Sequence, residues 1–301
     1  MSKKKKNYKE PPRKRRGGAP DERQYTFFDL YDLDEAYNKE FTDTAEEWLR
    51  RKNKNITSIR LKTIISGDML ESECYPIWNT RAEINRAPKA NESRKAQRNL
   101  NNKNAVKNVV RLINANFTKN DCWFTGTFKD EFLPPTPAAA DKYMRNFIRR
   151  VKREAIKRGY PELKYIFVTE MDEEAKVRLN NHLIINFPDR DKLEELWRAG
   201  RTQARRLQPD EFGFEGVARY ITKDPKGTRR YTASKNLVRP KVYISDCRMT
   251  RGKVGKIICG RLDAKEAYEK IYKGFAFTDY KHFISNYISG DYLYVRMRRR
   301  D

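Results

Sequence analysis

The chain has 301 residues, enough for one or two domains with their own core, and its 38% apolar content is low without being that of a disordered chain. Sixty-six Lys and Arg against 41 Asp and Glu leave a net charge of +25, which points to a polyanionic partner, nucleic acid first and a membrane surface second. No apolar run approaches the roughly 20 residues of a spanning helix, and none follows the basic N-terminus as in a secretory signal, so a membrane protein is disfavoured and a cytoplasmic one expected.

Residues 1–20 hold nine Lys or Arg, one Glu, a Pro-Pro and a Gly-Gly pair, which predicts a disordered basic tail that binds phosphates without sequence preference or only aids solubility. An accessory region is expected over 21–117. It contains a helix from Asp43 to Lys52, strands between Ile56 and Trp78 around a turn at Ser66-Gly67-Asp68, a polar connection over 79–92 and a long helix from Ser93 to Asn114. That helix sets Val106, Val109, Val110 and Ile113 on an apolar side. Its other side carries Arg94, Lys95, Arg98, Lys103, Lys107 and Arg111, either a solvated face or a track for a nucleic-acid backbone.

Residues 118–225 are the expected chemical core. Cys122 to Phe128 reads as a central strand with Trp123, Thr125 and Thr127 in one row. After Pro134-Pro135 and Pro137, a helix from Asp141 to Arg158 carries the buried stripe Met144, Phe147, Ile148, Val151 and Ala155. Two strands follow, Lys164 to Glu170 and Val177 to Phe187, joined through six residues. Alternation puts Asn180, His182 and Ile184 on one face and Leu179, Leu183, Ile185 and Phe187 on the other, and the hairpin brings Glu170 near Asn180 and His182. A carboxylate, an amide and an imidazole converging there suit a divalent cation.

Asp191 to Trp197 predicts a short helix, and Arg201 to Leu207 a strand bearing Arg201, Arg205 and Arg206. Pro209-Asp210-Glu211 opens a helix carrying Arg219, Tyr220 and Lys223, the last two one turn apart. Residues 226–301 form a basic, turn-rich region. Strands are expected there at Lys241 to Ser245, Lys256 to Cys259 and Tyr292 to Met297, and helices at Asp263 to Tyr272 and Tyr280 to Ile288. A tyrosine of pKa about 10 needs assistance to attack at neutral pH. A metal that polarises a phosphate and a lysine that stabilises developing charge would assist Tyr220.

This order of parts resembles the HUH (His-hydrophobic-His) single-strand endonuclease superfamily, most nearly the rolling-circle replication initiators of Gram-positive plasmids, phages and integrative elements. The residues that carry the resemblance are Thr125-Gly126-Thr127, Glu170, His182 and the Tyr-x-x-Lys run Tyr220 to Lys223, with flanking similarity over roughly 56–240. It implies an α+β fold with a ferredoxin-like central antiparallel sheet, flanking helices and basic helical extensions at both ends. It also implies Mg²⁺ or Mn²⁺ at Glu170, Asn180 and His182, and nicking that leaves a 5′-phosphotyrosine on Tyr220 and a free 3′-OH, with Lys223 assisting. The expected partners are single-stranded or hairpin origin DNA, contacted by Thr125, Thr127, Arg201, Arg205, Arg206 and Arg219, and a bacterial host's helicase and polymerase. No Gly-x-x-x-x-Gly-Lys-Ser/Thr loop is present to drive unwinding.

Asn180 departs from the pattern by replacing the first histidine, and Asn181 occupies the usually hydrophobic position between. An amide oxygen is a neutral, hard ligand that favours Mg²⁺ or Ca²⁺ over Mn²⁺ or Zn²⁺. A non-catalytic DNA-binding protein on the same scaffold is the alternative, and an RNA-binding protein a third reading.

Overall fold

A computed structural model describes residues 56–78, 94–172, 177–222, 230–284 and 291–300. The tail 1–20, the helix expected over 43–52, the connection 79–92 and Lys223 lie outside those residues. In chain order the elements are β1 Ile56–Ser66, β2 Met69–Trp78, α1 Arg94–Asn116, β3 Cys122–Thr127, α2 Pro137–Lys157, β4 Tyr165–Asp172, β5 Val177–Ile185 and α3 Arg190–Glu195. They continue as β6 Thr202–Arg206, α4 Glu215–Ile221, β7 Thr232–Ala233, β8 Lys241–Ser245, α5 Arg251–Ile258, α6 Ala264–Ile271, β9 Phe275–Ile284 and β10 Asp291–Arg299.

The architecture is α+β, with two five-stranded antiparallel sheets flanked by helices. The first sheet, in the order β6-β3-β5-β4-β7, is the expected central one, and β5 is its middle strand. One face is closed by α2, whose stripe of Met144, Phe147, Ile148, Val151 and Ala155 is buried against Phe124, Phe167, Leu183, Ile185 and Phe187. The other face carries Ile166, Val168 and Ile184, covered by Val109, Ile113 and Phe117 of α1 and its end and by Ala218 and Ile221 of α4. Alternation thus gives β4 and β5 two buried faces at their start and end, and only the polar positions between them stay partly open.

Both expected extensions contain helices, and their strands join across the chain. In the second sheet, β8-β1-β2-β10-β9, the N-terminal hairpin lies between strands from the far end of the sequence. One face, with Leu61, Leu70, Cys74, Leu293 and Val295, packs on α5 and α6 through Val254, Ile257 and Tyr268. The opposite face turns toward α1 and is ionic. Arg111 bonds Glu71 through both Nε and Nη2, at 2.9 and 2.7 Å, and lies 3.6 Å from Glu73. Lys62 pairs with Glu73 at 3.1 Å, and Arg296 reaches from β10 to Glu215 of α4 at 2.7 Å. Arg111, expected on a solvated or nucleic-acid face, is therefore committed to an internal layer that fastens the two sheets. Lys107 lies over the Tyr294 ring, 5.9 Å from its centre, and also faces this layer.

Four local expectations are corrected. Residues 280–284 continue strand β9 instead of starting a helix, because they pair with Asp291–Val295 of β10. Lys256 to Ile258 finish helix α5, where Val254 and Ile257, one turn apart, are buried together. Helix α2 starts at Pro137, capped by the Thr136 hydroxyl, which accepts from the Ala139 N–H at 3.2 Å, so Asp141 lies a turn inside it. Pro209-Asp210-Glu211 belongs to a tight turn closed by reciprocal backbone bonds between Asp210 and Gly213, and α4 begins only at Glu215. Gly213 has φ +70, and a Cβ there would lie 2.6 Å from Asn114 Oδ1, so both the turn and its contact with α1 require glycine.

Candidate active site on the central sheet

The register of three strands assembles the site. Glu170 of β4 lies opposite Asn180 of β5, Asn180 opposite Thr127 of β3, and His182 opposite both Thr125 and Val168. Paired residues share a face, so Glu170, Asn180, His182, Thr125 and Thr127 form one polar patch, as the hairpin reading predicts. His182 is 3% exposed and its ring is held at both nitrogens. Nε2 lies 2.8 Å from Glu170 Oε2, and Nδ1 lies 3.2 Å from Thr125 Oγ1.

The hydroxyl of Thr125 gives this arrangement two forms. With Glu170 ionised and accepting from Nε2–H, neutral His182 has an open lone pair at Nδ1, and Thr125 donates to it. If Nε2 instead turns its lone pair to a cation, the proton moves to Nδ1 and Thr125 accepts, since a hydroxyl serves either role.

Helix α4 brings Tyr220 over this patch. Ala218 and Ile221 anchor the helix in the core, which turns Tyr220 outward with 56% of its surface exposed. Its ring meets His182 edge-on, centre to centre 5.5 Å at 82°, and meets Trp123 of β3 at 5.2 Å. Trp123 is the wall between them, 6.5 Å from His182. Its indole Nε1 is buried with no partner among the described residues.

The expected DNA contacts divide. Arg205 lies opposite Trp123, so it is exposed on the site face, and Arg201 precedes the same strand with an exposed side chain. Arg219 is exposed beside Tyr220 and paired with Glu215 at 2.5 Å. Arg206 lies opposite Cys122 on the other face, where its guanidinium donates to the carbonyls of Asn120 and Pro188. Thr125 serves His182, and the Thr127 hydroxyl donates to the Arg201 carbonyl at 3.1 Å.

Two supporting groups escaped the sequence reading. Trp197 is fully buried among Phe124, Phe128, Tyr143 and Phe147, and donates from Nε1 to the Thr127 carbonyl at 2.8 Å. Its ring lies where a side chain at 126 would project, with a Cβ there 2.7 Å from it, which is why the residue between the two threonines is glycine. Behind the site, Asn181 is completely buried on the α2 face with Thr169 and Asp141. The Thr169 hydroxyl lies 2.6 Å from Asp141 Oδ1 and 2.9 Å from Asn181 Oδ1. The polarity of Asn181 and Asp141, set in apolar stripes, was the available signal.

Fold and site define an α+β protein that displays a histidine, a carboxylate and an exposed tyrosine on one face of an antiparallel sheet. Over residues 121–225, about a third of the chain and the whole run from β3 to α4, it matches the family described as Replication-associated protein ORF2. That match supports a rolling-circle replication initiator-like protein with a role in DNA replication. No significant match is found among curated proteins or solved structures. Among the described residues, no helix is long and apolar enough to cross a membrane.

Proposed function

We propose that this chain is a single-strand DNA nicking and joining enzyme of the HUH type, acting at a replication or transfer origin of a mobile element. The observation that carries the reading is the placement of an exposed Tyr220 5.5 Å from the buried His182–Glu170 pair, beside the exposed Arg205, in a chain of net charge +25. Tyr220 is the nucleophile. Its oxygen bonds to the phosphorus, the bond from phosphorus to O3′ breaks, the phenolic proton is lost and the leaving oxygen takes up a proton as the 3′-OH. Reversal of the same step joins strands. Trp123 holds the ring against His182 so that the reacting oxygen approaches from a fixed side. Lys223, three residues on in the sequence, stabilises the phenolate or the charge on the phosphoryl oxygens.

Glu170 and His182 fit a hard divalent ion, Mg²⁺ or Mn²⁺. Their facing atoms are 2.8 Å apart, close to the separation of about 3 Å between neighbouring ligands bonded at about 2.1 Å. Thr125 can hold the tautomer that frees Nε2, and the register places Asn180 beside Glu170 as a third donor. When bound, the ion would polarise the scissile phosphate.

A non-catalytic DNA-binding role on the same scaffold is the second reading. It is favoured by Asn180 in place of a histidine and by the absence, among the described residues, of any group of three His, Cys, Asp or Glu side chains placed to hold a metal. A labelled origin hairpin incubated with Mg²⁺ or Mn²⁺ separates the two. The enzyme reading expects a covalent adduct on a denaturing gel that disappears in Tyr220→Phe. Salt-sensitive binding with no adduct under either metal establishes the second reading.

A further inference from the structure

On the face of the central sheet turned away from Tyr220, between α2 and the β4–β7 edge, lies an open cleft of about 370 Å³. Arg145, Arg149 and Lys152 line one wall at i, i+4 and i+7 of α2, a single stripe of cations. Lys235, just past β7, stands on the opposite wall, so four cations surround a space in which Glu162 is the one carboxylate among the lining residues. All four are exposed, none is used in the ion pairs that hold the described residues together, and Tyr165 with Ile148 and Leu163 provides a floor of low polarity. Like-charged side chains that converge without partners repel one another, and a bound polyanion relieves that repulsion. The cleft volume falls within the range of about 300 to 1,000 Å³ typical of ligand sites.

We infer that this cleft is a second DNA-binding site, which takes the phosphodiester backbone of a segment flanking the one presented to Tyr220. The inference rests on the proposed DNA-binding function but not on tyrosine chemistry. Tyr165 and Glu170 lie five residues apart on β4 and on opposite faces, so the two sites are separated by about 17 Å along the strand as well as by the thickness of the sheet. A short oligonucleotide occupies one site. Only a longer strand passing round the β7 edge occupies both. The cations anchor phosphate, and the apolar floor accepts a base or sugar with no hydrogen-bond code, so the second contact adds affinity without adding sequence preference.

The test compares Arg149→Gln/Lys152→Gln, and separately Lys235→Gln on the other wall, with the charge-matched control Lys253→Gln/Lys256→Gln on α5. Binding of a short origin oligonucleotide and of one extended on both sides is measured across a salt series. For the extended strand, the double variant should lower the slope of log affinity against log salt by about 1.4 and weaken binding roughly tenfold near about 0.15 M salt, with Lys235→Gln giving about half the slope change. For the short strand the cleft variants should match the control. Equal losses on both strands, or losses no larger than the control's, overturn the inference. A deoxynucleoside triphosphate that competes at the cleft while the extended strand binds both cleft variants normally also overturns it, in favour of a mononucleotide site. Because the readout is binding, a wild-type protein that forms no covalent adduct would defeat the Tyr220 reading and leave this one standing.

Discussion

Replacing Arg111 with methionine tests the ionic layer that joins the sheets. Its guanidinium grips Glu71 with two bonds of 2.9 and 2.7 Å, the Tyr294 hydroxyl donates to the same carboxylate at 2.8 Å, and Lys62 holds the neighbouring Glu73. Burial by itself would raise the Glu71 carboxyl, but the Arg111 charge and the hydrogen bonds from Arg111 and Tyr294 outweigh it and hold the group below its ordinary range. Without Arg111, Glu71 keeps a buried charge and loses its counter-ion, an expected cost of about 3–5 kcal/mol. Arg111→Met/Glu71→Leu should recover most of that loss, because it removes both desolvated charges together. Urea unfolding followed by far-ultraviolet circular dichroism measures both variants. The sign with pH follows from the direction of the shift. A carboxyl depressed in the folded state contributes stability that is present above its unfolded value, about 4.3, and is lost as pH falls through the folded value. The gap between wild type and Arg111→Met should therefore be widest near neutrality and shrink in acid. A loss below about 1 kcal/mol, or a gap independent of pH, would refute the reasoning and mean that water already solvates Glu71.

Thr125→Val keeps the shape of the strand and removes the partner of His182 Nδ1. It should cost about 1–3 kcal/mol of stability and, on the metal reading, weaken Mn²⁺ binding by about ten- to a hundredfold in a calorimetric titration; unchanged Mn²⁺ binding would count against Thr125 as the group that sets the tautomer. Gly126→Ala drives a methyl into the Trp197 ring and should cost about 1–3 kcal/mol in the same urea assay, with a change in tryptophan fluorescence. Asn181→Leu removes an amide whose Nδ2 has no partner among the described residues, and leaves Thr169 bonded to Asp141. It should be neutral or stabilising, and a loss above about 2 kcal/mol would show that the amide makes a bond essential to β5.

What could be read from the sequence was what local periodicity encodes. Alternation along 177–187 assigned His182 and Leu183 to opposite faces, and the structure buries Leu183 against α2 while turning His182 toward Tyr220. The α2 stripe was equally plain, since all five of its apolar residues are buried. Pairings between distant segments left no local trace. β2 and β10 are neighbours although Cys74 and Leu293 lie over two hundred positions apart, and no pattern in either strand names the other. Arg111 looked solvent-facing for the same reason, because its partners Glu71 and Glu73 lie on a strand separated from α1 by a long connection. Short apolar runs also misled. Tyr280 to Ile284 has no period that separates helix from strand, and pairing with β10 decided the matter.

Asn180 and Asn181 are best understood together, because the structure accommodates them in different ways. At 181 a polar side chain replaces the apolar one expected beneath the site, and the interior responds with the Thr169 hydroxyl and the Asp141 carboxylate, so β5 keeps its register between β3 and β4. A one-residue slip would have turned His182 into the α2 core, and the preserved pairing of His182 with Thr125 and Val168 shows that none has occurred. At 180 the backbone is equally undisturbed, and the side chain stays in register with Glu170 and Thr127. The departure at 180 therefore exchanges a donor atom within an unchanged frame. Its consequence should appear in which ion binds and how tightly, and not in where Tyr220, His182 and Glu170 stand relative to one another.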